Sequence, residues 1–507
     1  MKRFEKFFND YLSYCIIFCF VVYLFCWLSD DAIMGLVPIK NMINGNGLRW
    51  NVQERVCTST SLLYFLSVGL LSLPINHVLT TAIIFNIVCS CLLFYIIIKH
   101  CHDSKQKLFV LLVLIFSQTF LSFTTSGLEN SMLALLESIW LYMILEKETF
   151  SSKDLFLLSF ICAITLGVRL DSAVLLFIPT AYIFLFKKDC KLYKSVIIGI
   201  LGLLPLFVLL CFSLVYFGFL FPNTFYAKMH TGISSIDYIV HGIKYFLSLL
   251  LCDPLAFITI IVAIVLCIRG KKLRIIGVSF ILKLSYLIYV GGDSMVGRFI
   301  TDLYVLSVIL IIYKGFRFNK VLLGLLCTCS VVVFFIYSVS SVNYVFSNGS
   351  NDDSLLSIID ERAFWGFKGI KELIELEQNW CTIDCEALKD LDQYITYDNN
   401  IIYQPIELGI SRWHLKNDCY IIDSIALSNA FISRFPCEDN NLHNFRIGHI
   451  RHKYPDGYID SLINNKNLFI NDKDAKLYDD ICLVTKGDLF TKERWKAILR
   501  LNFGIGD

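Results

Sequence analysis

Asp30 and Asp31 stand side by side directly after an apolar run, residues 11–28, long enough to cross a bilayer. Charge that close to hydrocarbon is costly and usually has a task. Further ionisable residues recur in short polar strings between apolar runs: Glu129 in Thr124-Thr125-Ser126-Gly127-Leu128-Glu129, Arg169 with Asp171, Asn223 to Lys228, and Asp293 to Arg298. A polar segment, residues 40–61, adds Arg49, Glu54 and Arg55. These residue types suit transfer from a phosphate-linked donor. Arg169, Lys228 and Arg298 are candidates to hold a phosphate that leaves with negative charge, arginine by its fork of donors and lysine as a point charge. Asp30 or Asp31 is a candidate general base for an attacking hydroxyl. Phe225 and Tyr226 are suited to stacking on a sugar face or lining a lipid groove. Arg49, Glu129, Asp171, Asn223, Tyr226, Asp293 and His449 complete the candidate substrate-binding set.

Each residue also has a plainer explanation. The aspartate pair can cap a helix or stop transfer. Arg169 and Asp171 can pair with a neighbouring helix, and Lys228 can snorkel at an interface. Gly291-Gly292 can be a turn with Asp293 as its cap. Glu129 can simply answer the dipole of a helix N-terminus. What favours chemistry is that all of them fall on one face once the chain is laid across a membrane.

The elements that must position them follow from composition. Of 507 residues, 56% are hydrophobic and 17% charged, and the mean hydropathy is +0.63; soluble domains carry about 25% charged residues. Apolar runs predict a polytopic α-helical membrane part over residues 1–342, with spans near 11–28, 78–98, 107–123, 129–145, 154–168, 173–186, 195–217, 254–268, 275–290, 301–313 and 321–338. Two shorter apolar stretches, 60–74 and 238–251, are expected to lie at the outer surface. With both outside and the N-terminus inside, Lys99, Lys105, Lys107, Lys187, Lys188, Lys271 and Lys272 all face the cytoplasm, as the positive-inside rule asks. The acids and bases above then collect on the outer face, where they are expected to meet in one pocket at the outer leaflet. The N-terminal apolar segment reads as a retained span of an inner-membrane protein.

Residues 343–507 have the composition of an ordinary globular domain and are expected to form an extracytoplasmic α/β domain. An amphipathic helix is predicted over 360–377, and short buried strands at Ile401–Tyr403 and Tyr420–Ile422. Arg446, His449, Arg451 and His452 make a basic patch beside Tyr454 and Tyr458. Cys381, Cys385, Cys419, Cys437 and Cys482 lack metal-ligand spacing, so no zinc site is predicted; outside the cytoplasm one or two disulfides are expected, their pairing open. No glycine-rich nucleotide fingerprint is present, and nothing points to nucleic acid.

Several strings carry a resemblance. Asp30-Asp31-Ala32 is followed by Lys40-Asn41, Gly45, Gly47-Leu48, Asn51 and Glu54-Arg55-Val56. This resembles the GT-C superfamily of polyprenyl-phosphate-dependent glycosyltransferases, and within it the terminal β-arabinofuranosyltransferase family. Thr125-Ser126-Gly127-Leu128-Glu129 is similar to that family's Thr-Ser-Gly-Met-Glu, and Arg169-Leu170-Asp171 to its Arg-Pro-Asp. Pro222-Asn223-Thr224-Phe225-Tyr226-Ala227-Lys228 is nearly the family string, and Gly291-Gly292-Asp293 to Arg298 resembles its Gly-Gly-Asp-Trp-Met-x-x-x-Arg. Residues 421–428, Arg446 to His449 and Pro455 to Tyr458 extend the likeness into the last third. Leu170, Ser294, Ala426 and Ser428 depart from the pattern and leave the sugar open.

The resemblance implies transfer of a furanose, arabinofuranose-like, from a polyprenyl-phosphate donor to a cell-envelope glycan acceptor outside the membrane. It implies a base at the first outer loop, with Asp30 preferred and Asp31 orienting it. The lipid-linked sugar is a co-substrate; no other cofactor is expected, no residue is assigned as a metal ligand, and the need for a divalent metal is left open. A different class is also weighed: a lipid-linked polysaccharide flippase or polymerase.

Overall fold

The computed structural model describes residues 11–315 except 230, and most of 370–505 with gaps at 384–394, 399–400, 405–407 and 440–444; between 316 and 369 only isolated positions are described. The predicted span 321–338 and the predicted division at 342 lie outside the described residues, as does most of the predicted 360–377 helix before Ile370. The described chain is mostly helical, with one small sheet.

Two compact units form. The first comprises Met1–Ser29, Ala82–Leu206 and Ser235–Glu372; the second comprises Asp30–Thr81, Phe207–Ser234 and Leu373–Asp507. The sequence predicts an outer domain from residues 343–507 alone, whereas the second unit is assembled from three separate stretches. The physical reason is hydrogen bonding: the polar segment after Asp31 buries donors and acceptors whose partners lie in the last third of the chain.

In the first unit the helix Thr301–Tyr313 is the centre. Every residue from Thr301 to Ile312 is buried, as suits a helix apolar all round. It packs against Pro254–Arg269, Asn130–Glu146 and Gln118–Phe123. Local polar residues fix the helix starts. Ser151 and Asp154 form a reciprocal capping box. Asp253 caps its own helix through Ala256 N at 2.9 Å, with Pro254 in the first turn, and also accepts from Ser117 Oγ at 2.6 Å and Thr119 N at 2.9 Å. One buried carboxylate thus fixes two helix starts.

The outer surface of this unit is strongly apolar: Phe177 and Phe186 are each 70% exposed, and Val196, Ile197 and Ile200 are exposed in the same stretch of chain. By length and composition, Val78–Lys99 and Ser235–Cys252 are each able to cross a bilayer, and the pair Leu192–Gly202 and Leu204–Tyr216, bent by 45°, passes the same test together. The predicted 195–217 span is thus broken, with Pro205 just past the bend. Ser235–Cys252 is the longer form of the stretch expected to lie flat at the surface. Its exposed apolar stripe, Ile236, Val240, Ile243, Leu247 and Leu250, runs its whole length. Leu62–Ser72, at about 16 Å by its 11 residues, is half the thickness of a bilayer core.

The second unit holds the sheet. Ile395–Asp398 pairs antiparallel with Ile401–Gln404, which pairs parallel with Tyr420–Asp423. Both strands predicted from the sequence are present. The parallel step needs a crossover, supplied by the helix Leu408–His414. Asn51 extends this sheet with its side chain: Nδ2 donates to Ile421 O at 3.0 Å and Oδ1 accepts from Ile421 N at 3.2 Å. Fully buried Arg412 donates to the carbonyls of Trp50, Leu415 and Lys416. Buried Glu377 accepts from Leu79 N and Thr80 N, capping that helix start. Ile422, Phe431, Ile432, Tyr458, Ile481, Val484 and Ile498 make the core, joined by Val56 and Phe219 from the earlier stretches.

Candidate functional site

The predicted residues divide between the units. Asp30, Asp31, Arg49, Asn223, Tyr226, Lys228 and His449 belong to the second; Glu129, Arg169, Asp171, Asp293 and Arg298 belong to the first.

In the second unit Asp30 and Asp31 open the helix Asp30–Ile43 as its first-turn acids, the favourable end for negative charge. The two carboxylates have different surroundings. Asp30 accepts from two backbone amides at the start of the helix Leu408–His414: Gly409 N at 3.1 Å and Ile410 N at 2.7 Å. Gly409 is needed for this approach, since a Cβ there would come within 2.2 Å of Asp30 O. Asp31 lies close enough to His449 to act on its charge, and so do Arg446 and Lys228. Burial pushes the His449 ring down to about 4; Arg446 and Lys228 push the same way, against Asp31 and the Ile447 carbonyl. The ring is therefore neutral at neutral pH. Its Nδ1 lies 3.4 Å from Ile447 O, so as donor there it leaves Nε2 as an acceptor.

The string Pro222 to Lys228 forms the short helix Asn223–Met229. Asn223 pins it: Nδ2 donates to the carbonyls of Ala426, Leu427 and Asn429, and Oδ1 accepts from Ser433 Oγ. Tyr226 is covered by the Arg434 guanidinium, 3.7 Å from its ring centre. Phe221 and Phe225 have ring centres 4.8 Å apart with planes tilted by 40°, and remain more than a third exposed. Asn223 and Tyr226 are thus engaged with protein, while the outward aromatics of this segment are Phe221 and Phe225. Arg49 likewise serves its own loop, donating from Nη1 to Val52 O at 2.7 Å.

In the first unit the Thr124–Glu129 string is bolted down by backbone. Ser29 N donates to Ser126 O at 3.0 Å, Asn86 Nδ2 to Leu128 O at 3.0 Å, and Gly127 takes a φ of 75° that favours glycine. This places Glu129 at the start of the helix Asn130–Glu146. Glu129 accepts from Arg169 Nη1 at 2.7 Å, and Arg169 Nε donates to Asp171 at 2.8 Å. The other oxygen of Asp171 is 3.0 Å from Lys283 Nζ. Burial alone raises the Asp171 carboxyl, but Arg169 and Lys283 outweigh it and hold the group well below the usual carboxylate range. Both sides of the Arg169 fork are occupied by carboxylates, so its charge is already answered. Arg298 lies 3.6 Å from Asp293, and its carbonyl accepts from Asn130 Nδ2 at 2.8 Å.

The sequence did not single out Lys283, Glu137 or Asp302. All three are buried in the first unit's helices, and Glu137 accepts from Ser172 Oγ at 2.9 Å. The available signal was an ionisable residue inside an apolar helix. Arg434 was missed too. Among the described residues no group of three or more His, Cys, Asp or Glu side chains is placed to hold a metal ion. No family model, curated protein or solved structure matches the chain.

Proposed function

We propose that the chain is a membrane glycosyltransferase that moves a sugar, furanose in type, from a polyprenyl-phosphate donor to a cell-envelope glycan acceptor on the outer side of the cytoplasmic membrane. The observation that carries this reading is the cluster within the second unit: one carboxylate, Asp31, beside a neutral His449, with Lys228 and Arg446 acting on the same spot. In this reading Asp31 takes the proton of the acceptor hydroxyl. The hydroxyl oxygen bonds to the anomeric carbon, the bond from that carbon to the phosphate oxygen breaks, and lipid phosphate leaves toward Lys228 and Arg446. Asp30 becomes the residue that positions Asp31, because its oxygens are engaged by Gly409 and Ile410. Exposed Phe221 and Phe225 offer ring faces to sugar or prenyl chain. The family-like strings of the sequence support the donor class. The apolar surface of the first unit's helices supports the membrane setting. Cys419 is disulfide-bonded, which supports an oxidising compartment for the second unit.

The test is purified protein incubated with a panel of polyprenyl-phosphate sugars and a glycan acceptor, reading release of lipid phosphate. Asp31→Asn is expected to lower the rate at least a hundredfold, the low end of what a general base supplies, with thermal stability unchanged. Transfer that continues undiminished in Asp31→Asn, or no release from any donor, removes the proposal.

A further inference from the structure

Around Arg169 and Lys283 in the first unit, the charges of the described side chains do not balance. Glu129, Asp171, Glu137 and Asp302 bring four carboxylates, while Arg169 and Lys283 bring two cations. Arg298 and Asp293 add one of each sign and leave the excess as it is. Two of the acids have direct cationic partners: Glu129 on Arg169, and Asp171 on Arg169 and Lys283. The others are Glu137, fully buried in the helix Asn130–Glu146, and Asp302, 4% exposed in the first turn of the helix Thr301–Tyr313. These two helices pack together. Glu137 Oε1 accepts from Ser172, but Glu137 Oε2 and Asp302 Oδ1 are buried and accept no hydrogen bond among the described residues. The nearest cation to both is Lys283, 2% exposed on the helix Arg274–Tyr289, and its ammonium is already 3.0 Å from Asp171. The remaining titratable neighbours, Tyr245 and Tyr286, are phenols that are neutral at neutral pH.

Two carboxylates buried together around one committed lysine cannot both stay ionised, because each bare oxygen has lost water without gaining a donor. A proton supplies what is missing: it removes a charge and turns one acid into an O–H donor. We propose that Glu137 and Asp302 form a proton-binding site in the core of the first unit and hold at least one proton between them at neutral pH. The site is independent of the transfer chemistry proposed above, which uses neither residue. It has a consequence for the polar chain beside it. Losing the proton sets a second carboxylate against Asp171 in competition for Lys283, and so loosens the Arg169 anchor.

The experiment is infrared spectroscopy of the full-length protein in detergent at pH 7, read as the difference between wild type and the Glu137→Gln/Asp302→Asn double variant. The expected result is a carbonyl band of a protonated carboxylic acid in the wild type that is lost in the variant. If the double variant does not accumulate, Glu137→Gln and Asp302→Asn are measured singly, and loss of the band in either supports the site. A wild-type difference spectrum with carboxylate bands alone overturns it.

Discussion

Asp30 Oδ1 accepts a hydrogen bond from the backbone N–H of Ile410 at 2.7 Å, 380 residues along the chain. Its second oxygen does the same for Gly409. One side chain at the start of the helix Asp30–Ile43 therefore caps the helix Leu408–His414, and the adjacent Asp31 is fixed by the same turn. The two aspartates are predicted to fail differently. Asp30→Ala removes the acceptor of two helix-start amides and is expected to cost about 1–2 kcal/mol of stability. Asp31→Asn leaves the melting temperature within error. Thermal melts of the two variants check this, and equal destabilisation by both contradicts the division of labour.

Asp171 joins Arg169 to Lys283. Removing it leaves two largely buried cations short of a partner, the situation in which loss of one member of a buried pair costs about 3–5 kcal/mol. Asp171→Ala is expected to fall sharply in folded yield. Lys283→Met in the same chain removes one of the stranded cations and is expected to recover part of the loss. A double variant no better than the single would mean that Lys283 and Asp171 are not coupled.

How much of this was legible in the sequence differs by residue. The sequence reads Arg169 as a holder of phosphate and Glu129 and Asp171 as substrate contacts; in the structure the three side chains pair with one another. The strands at 401 and 420 were visible because short β-rich runs stand between turn residues. The sequence cannot separate Asp30 from Asp31; the amides that engage Asp30 come from residues 409 and 410, and no local pattern announces so distant a partner. The assembly of the second unit from three stretches was hidden for the same reason, since Asn51 and Arg412 find their partners across the chain. Lys283, Glu137 and Asp302 were legible in principle and were absorbed into apolar averages. Asn223 and Tyr226 were read as ligand contacts because they are polar and aromatic in a familiar string, yet their neighbours are Ala426, Asn429 and Arg434.

The second unit's stability is predicted to depend on pH through two groups that act in opposite senses. His449 titrates near 6.5 when unfolded and is pushed down to about 4 by burial and Arg446. Between those values the unfolded chain binds the extra proton, so stability falls as pH drops through the window. Asp423 is the reverse: burial raises its carboxyl from 3.8 to about 6, against the donors of Ser428 and Ile425. There the folded chain binds the extra proton, so stability falls as pH rises through that window. Denaturation midpoints of His449→Gln, Asp423→Asn and wild type from pH 4 to 7 separate the two. The histidine variant is expected to gain relative stability toward pH 4, and the aspartate variant toward pH 7. Curves parallel to wild type count against both assignments.

Cys419, 1% exposed next to the strand Tyr420–Asp423, is disulfide-bonded. A covalent tie beside the sheet restricts the unfolded chain, and its loss is expected to cost about 2–5 kcal/mol. Such bonds are typical of oxidising compartments and rare in the cytosol, so testing the bond bears on location as well as on stability. Protein extracted from membranes, denatured without reductant and alkylated, is expected to leave Cys419 unlabelled; reduction before alkylation labels it. Cys419→Ala should lower the melting temperature of the second unit and make it insensitive to reductant. Full alkylation of Cys419 without reduction would contradict the disulfide and remove its support for an extracytoplasmic second unit.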